Sequence, residues 1–375
     1  MDFAPTDAQK DIAGLAKKIF GDKVTPAGLK ALEAGARVSA ELWKDLATAG
    51  LLGVALPESV GGSGNGFLEL CALLEEAGAA VAPVPLWATL VGAALPIAEF
   101  GSAEQKQRWL PGVAAGDVML SAAFHEPGGG DAEAPQTRAE RAGSDGGWVL
   151  TGVKTAVPVA ALAQRVLLAA QTDAGIGLFL LDPRAPGVTL ESQVSTSGEP
   201  AGRLTLARAQ VAAVDVLVAP GPAAAAAWAW TIQRATVALC AMELGVAARA
   251  LRMTAEYTAQ RKQFDRPIAT FQAVAQRAAD AYIDVESIRV TCWQAAWLLS
   301  EGRDADARAA VAVAKLTAAE AGHRVVYAAQ HLHGGIGFDT DYPLHRYYTL
   351  SKQLELTLGS ASQHLVRLGA ELARS

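Results

Sequence analysis

The sequence predicts an α+β protein with an N-terminal α-helical domain, a middle β-barrel or β-sandwich domain, and a C-terminal four-helix bundle. Three observations lead there. Residues 7–120 carry helical apolar periods broken by Gly and Pro, short apolar runs at regular spacing follow from about 119, and Ala227 to Arg261 has no proline and only one glycine. The boundaries drawn from these changes of texture are 1–118, 119–225 and 226–375. A chain of 375 residues is also too long for one ordinary core.

In the first domain Leu42, Trp43 and Leu46 fall on one helix face, and Gly50 and Gly53 end the run. Pro57 to Gly64 is a polar, Gly-rich loop before a helix over 68–79, and shorter helices fit 85–100 and 102–115. In the second domain Trp148–Val153, Arg165–Ala170 and Ile176–Leu181 read as strands, with turns at 144–147 and 182–184. Pro220-Gly221-Pro222 closes it. The third domain opens with a helix of about 35 residues, roughly 50 Å long at 1.5 Å per residue. Helices over about 270–300, 304–332 and 345–372 complete the bundle.

Composition narrows the function classes. Apolar residues make up 51% and charged residues 19%, the balance of a packed globule. A net charge of -6, with basic residues dispersed except around 261–266, gives no footprint for nucleic acid. No uninterrupted apolar window is long enough to span a membrane, and the N-terminus lacks a basic-then-apolar export pattern. Cys71, Cys240 and Cys292 are an odd, unspaced set in apolar helical surroundings. They read as buried reduced thiols, with neither a disulfide framework nor a metal site, and the expected location is cytoplasmic.

Three glycine-marked segments carry the chemistry. Gln330-His331-Leu332-His333-Gly334-Gly335-Ile336-Gly337 is a place where backbone must approach something closely, and a Gly-rich bend can offer N–H groups to an anion. Arg261-Lys262-Gln263-Phe264-Asp265-Arg266-Pro267, with Phe271-Gln272, supplies a guanidinium able to meet a diphosphate bidentately. Glu126-Pro127-Gly128-Gly129-Gly130-Asp131 and Trp148-Val149-Leu150-Thr151-Gly152-Val153-Lys154 stand upstream. In this order, and with Leu42 to Gly62 before them, they resemble the acyl-CoA dehydrogenase family of flavoenzymes over essentially the whole chain. The resemblance implies FAD, an acyl-CoA substrate, and electrons passed to an electron-transfer flavoprotein. It implies that Arg261, Phe264, Gln272, Gln330, Gly334 and Gly335 clasp the adenine-diphosphate half of FAD. It also implies a subunit interface at that site, in a homodimer, a homotetramer or a heterotetramer with a sister chain.

The chain departs from the family at informative places. Gly130 runs directly into Asp131 without the usual serine, and Asp265 stands where glycine is usual. Thr155-Ala156-Val157-Pro158 replaces a segment in which a Trp and a hydroxyl border the flavin ring, a change similar to that of a divergent bacterial branch acting on bulky or steroid side-chain acyl-CoAs. Leu358 occupies the position of the carboxylate base in the best-known members, and leucine accepts no proton. Glu355 reads as a solvated or paired helix residue. Glu243 has apolar neighbours at i±3 and i±4, so burial should raise it toward a general base, and it is the candidate catalytic residue. Either the chain catalyses with Glu243, or it is a flavin-clasping, non-catalytic subunit of a heteromeric dehydrogenase and Glu243 is structural. His125, His331 and His333 are not spaced for metal. An Ala-lined helix face (Ala235, Ala238, Ala241) suggests room for a bulky ring.

Overall fold

The computed structural model describes residues 4–143 and 146–373. Along the chain it forms α1 (Asp7–Lys23), α2 (Pro26–Glu33), α3 (Ala40–Thr48), α4 (Phe67–Ala80), α5 (Leu95–Phe100) and α6 (Ala103–Ala114). Strands follow: β1 (Leu120–Ala123), β2 (Arg138–Ala142), β3 (Gly147–Pro158), β4 (Arg165–Thr172), β5 (Gly175–Leu181), β6 (Val188–Val194), β7 (Pro200–Val211) and β8 (Val216–Val218). Then come α7 (Pro222–Gln260), the hairpin β9 (Lys262–Gln263) and β10 (Arg266–Pro267), α8 (Gln272–Ser300), α9 (Asp304–His333), α10 (Leu344–Leu356) and α11 (Ala361–Leu372). Among the described residues, no helix is long and apolar enough to cross a membrane.

The described residues pack as two compact units. One joins the chain up to Ala31, Phe67–Ala82 and everything from Thr236 onward; the other joins Leu32–Gly66 and Pro83–Ala235. Helix α7 runs through the junction, and α4 leaves its sequence neighbours to pack in the helical unit. Change of texture marks where helix gives way to strand, but it does not say which helix packs on which.

In the helical unit α4 and α7 touch backbone to backbone. A Cβ on Gly245 would stand 1.8 Å from the Glu75 carbonyl oxygen, and one on Gly78 2.1 Å from that of Met242, so both positions require glycine. Helices α8 and α9 run antiparallel, tied by Arg324 Nε to Asp284 Oδ2 at 2.9 Å. Cys71, Cys240 and Cys292 are free and buried in this unit, in line with the reading of reduced thiols. The single last helix expected over 345–372 is broken: α10 ends at Leu356, Leu358 and Gly359 take left-handed φ of +59° and +109°, and Ser360 with Gln363 forms a capping box that starts α11.

The other unit holds the β domain, one sheet in the order β6-β7-β3-β2-β4-β5-β8 with β1 joining β4 in parallel. Its buried face carries Leu150, Val166, Leu168, Phe179, Leu181, Leu204 and Leu206. Alternation of the strands explains this face, since neighbouring residues point to opposite sides. Trp87–Ala94, before α5, is a π-helix that is buried throughout. Trp87 meets Phe124 in a tilted ring contact at 5.6 Å, and its indole Nε1 donates to the Ala235 carbonyl at 2.9 Å.

Candidate active site

The ends of α7, α8 and α9 gather at one end of the helical unit. The ring of Tyr257, in the last turns of α7, stacks on His333 at 4.5 Å, which ties α7 to the end of α9. His333 is buried; Nδ1 donates to the Ala329 carbonyl at 2.8 Å and Nε2 accepts from the Tyr342 hydroxyl at 3.1 Å. Burial pushes this imidazole below the usual histidine value, so the ring is a neutral structural pin. Arg277 of α8 meets His331 of α9, which ties the start of α8 to the same place.

Five of the six residues expected to clasp a nucleotide face solvent here. Arg261 follows the last residue of α7, and its carbonyl accepts from Ile268 N at 2.8 Å to close the hairpin segment. Phe264 and Asp265 form the hairpin tip with left-handed φ of +52° and +62°, and Phe264 is 87% exposed. Such a turn favours Asn-Gly, so an aromatic and an acid are held there at some cost in strain. Gln272 is the first, exposed residue of α8. Gly334 has φ +65° and ψ −141°, a conformation suited to glycine, and a Cβ on it or on Gly335 would meet nothing within 4 Å. The turn therefore presents open backbone.

Gln330 differs from the expectation. It is 8% exposed, its Nε2 donates to the Gly337 carbonyl at 2.7 Å, and its Oε1 is buried with no hydrogen-bond partner among the described residues. It braces the glycine turn from inside, while the next residue, His331, takes the outer face. The motif alone did not reveal this, because one residue is a 100° step around a helix. With the exposed Arg261, which has no ion-pair partner among the described residues, an exposed aromatic and an open glycine turn, this end of the bundle fits a nucleotide diphosphate.

In the β unit, Glu126 is the acceptor around which its motif is organised. Its carboxylate takes Gln136 N at 2.6 Å, Thr137 N at 3.0 Å, Thr137 Oγ1 at 2.6 Å and Lys154 Nζ at 2.6 Å. Burial acts to raise the carboxyl, but Lys154 and the Thr137 hydrogen bonds outweigh it and hold Glu126 below the usual carboxylate range. The pair staples the glycine loop at 128–130 to β3. The segment that departs from the family, Thr155 to Pro158, is also built in: Ala156 is exposed at φ +50°, and its N–H donates to Gln193 Oε1 at 2.9 Å. The Pro158 carbonyl accepts from Ser121 Oγ. An exposed methyl and a ring without a donor stand here, and neither can hydrogen-bond a flavin edge.

Neither candidate position for a base is an accessible carboxylate. Leu358 is 2% exposed, and its carbonyl accepts from His364 Nε2 at 3.0 Å. Glu355 is ion-paired to Lys352 at 2.6 Å, the paired role that its place on the helix suggested. Glu243 is 2% exposed inside the helical unit; Oε1 accepts from Ser351 Oγ at 2.7 Å and Oε2 is buried with no hydrogen-bond partner among the described residues. Burial pushes Glu243 up to about 8, against the lowering effects of the Ser351 hydrogen bond and of Lys315. Lys315, itself fully buried, spends its ammonium on the carbonyls of Leu354 and Glu355 at the end of α10. The raised carboxyl foreseen from the sequence is present, but protein encloses it on all sides. Residue order did not point to Gly322 and Ser351, which make room for that carboxylate and hold it.

Comparison with known proteins follows the same order along the chain. Family models match for the acyl-CoA dehydrogenase N-terminal domain over residues 6–117, the middle domain over 121–209 and the C-terminal domain over 224–372. The Mycobacterium tuberculosis protein named acyl-CoA dehydrogenase FadE27 is 41% identical over 382 residues, covering 100% of both chains. The solved ChsE4-ChsE5 complex from Mycobacterium tuberculosis superposes with a TM-score of 0.93 at 41% identity over 100% of each chain. A variant of the Tcur3481-Tcur3483 steroid ACAD does so with a TM-score of 0.91 at 48% identity over 98% of each.

Proposed function

The chain belongs to the acyl-CoA dehydrogenase family, whose reaction is the FAD-dependent α,β-dehydrogenation of an acyl-CoA thioester, and from that premise we propose its place in the reaction. It is one half of a heteromeric dehydrogenase for a bulky, steroid-like acyl-CoA, and a sister chain supplies the carboxylate that removes the α-proton. Electrons leave through an electron-transfer flavoprotein. The observation that carries this reading is the state of the two base positions: Leu358 is apolar, and Glu243 is sealed between α7, α9 and α10. The names of the similar structures, one a two-component complex and one a steroid enzyme, support it.

FAD supplies the acceptor for the β-hydride when bound. Toward it, Arg261 would neutralise the diphosphate, Gln272 would offer donor and acceptor to the nucleotide rim, and Gly334 and Gly335 would present backbone N–H groups. Phe264, exposed at the hairpin tip and edge-on to Phe271, would cover the nucleotide from a neighbouring subunit. Gln330 would act indirectly by holding the glycine turn. The Ala156 and Pro158 segment would leave the ring of FAD without its usual partners on this chain, which supports the reading that the reacting half of the site belongs to the sister chain.

A second reading rests on the raised Glu243 carboxyl: substrate binding could part α9 from α10 and expose it as a base. Co-expression separates the two readings. Under the first, the chain alone has little flavin and no turnover, and both appear when the sister chain is present. Turnover by the chain alone would favour Glu243.

A further inference from the structure

A groove of about 460 Å³ opens in the helical unit between α1 and α7, with α4 as its floor and the start of α10 at its edge. Packing explains its shape. Gly245 lets α7 press on the α4 backbone, while α1 packs on α4 and buries Ala16 and Phe20. Gly21, the next residue of α1, leaves the mouth open, since a Cβ there would meet nothing within 4 Å.

Arg249 of α7 is the cation of this groove that no carboxylate neutralises among the described residues. The charges beside it are already spent: Arg252 pairs with Glu256 at 3.0 Å, and Glu75 pairs with Arg289 of α8 at 3.2 Å. Arg249 is half-buried and is held by a hydrogen bond to the Tyr347 phenol. Tyr347 is itself buried, and its hydroxyl donates at 2.9 Å to the Ala79 carbonyl, one of those that the end of α4 leaves open. The phenol oxygen is thereby fixed as the acceptor for Arg249. A guanidinium has more N–H donors than one phenol can take, so donors remain for a ligand.

The rest of the lining sets the ligand's shape and charge. Phe20, Val24, Ala79, Ala80 and Ala248 give an apolar surface of small and flat groups. Glu76 is half-buried beside them; burial pushes its carboxyl above the usual carboxylate range, and Lys17 acts against that shift. A second negative charge on a ligand would face this carboxyl in a poorly solvated place, where like charges repel strongly.

We infer that the groove binds a monocarboxylic acid with a compact apolar body, its carboxylate on Arg249 and its body against Phe20, Val24 and Ala248. The planar fork of arginine matches the two oxygens of a carboxylate. The volume lies within the range of small-ligand sites. The groove shares no residue with the nucleotide turn or with the enclosure of Glu243, so it stands or falls apart from the reading above.

Calorimetric titration of the full chain tests this with phenylbutanoate, its uncharged amide phenylbutanamide, and inorganic phosphate. The acid should bind at least about tenfold more tightly than the amide, which keeps the shape and loses the charge. Arg249→Met should weaken binding of the acid by a similar factor and leave that of the amide unchanged. Gly21→Leu, which fills the mouth and leaves Arg249 in place, should weaken both, with thermal melts confirming that the two variants fold. Failure of the acid to bind, or equal affinity of the parent for acid and amide, would overturn the proposal. So would acid binding that survives Arg249→Met. Binding lost in Arg249→Met but kept in Gly21→Leu would mean an arginine that attracts anions outside the groove, and would overturn the site. Tighter binding of inorganic phosphate than of the acid would overturn the ligand class.

Discussion

The carboxylate of Glu243 fills the space that Gly322 leaves on the facing helix: a Cβ at 322 would stand 2.2 Å from Glu243 Oε1. The two residues are one feature. Gly322→Ala should cost about 1–3 kcal/mol, because the buried carboxylate has nowhere to move. Adding Glu243→Ala should return part of that loss, a non-additivity that thermal unfolding of the two single variants and the double variant can measure. Equal and additive losses would mean that the helices do not meet as described.

Stability should depend on pH through the same carboxylate. Burial raises Glu243 from its ordinary 4.5 to about 8 in the folded chain, so the fold favours the acid form. Its contribution is full below the unfolded value and is lost as pH rises through about 8. Urea unfolding at several pH values should show the parent losing stability between those limits relative to Glu243→Gln, whose amide stays neutral. Parallel curves would show that Glu243 is ionised at little cost.

Glu126 and Lys154 should behave unequally. Their ion pair is almost wholly shielded, with the side chains 10% and 1% exposed. Glu126→Gln strands a buried ammonium, a loss on the order of 3–5 kcal/mol. Lys154→Met should cost less, because Glu126 keeps its bonds to Gln136 N and to Thr137. Chemical denaturation of the two variants ranks them, and the reverse order would contradict this assignment of the charges.

Arg261 is expected to act on flavin alone. Arg261→Ala removes a charge-assisted contact of about 1.5–3 kcal/mol, which is roughly tenfold or more in affinity. Flavin content of the enzyme co-purified with its sister chain should fall while the melting temperature holds, since Arg261 is exposed and forms no ion pair among the described residues.

Much of this was legible from residue order. The Pro-free stretch ending at Arg261 does form one helix, and the glycines after His333 do mark an open turn. What escaped depends on long-range packing. Thr357 to Ser360 looked helical because Leu358 rarely adopts a left-handed conformation, and only the docking of α11, with His364 on the Leu358 carbonyl, holds it there. Gln330 and His331 exchange roles because helix phase, not motif spacing, decides which one points outward. The isolation of Glu243 from charge was readable along its own helix, whereas Ser351 and Lys315 reach it from α10 and α9.

The central claim is that this chain clasps the nucleotide while the base comes from elsewhere. The direct measurement is flavin bleaching by the acyl-CoA substrate in a single turnover, comparing the assembled enzyme with one carrying Glu243→Gln in this chain. The account predicts the same rate in both, because the amide keeps the shape of the acid and only its proton chemistry is lost. A fall of about 10²-fold or more, with flavin content unchanged, would return the base to Glu243 and contradict the account.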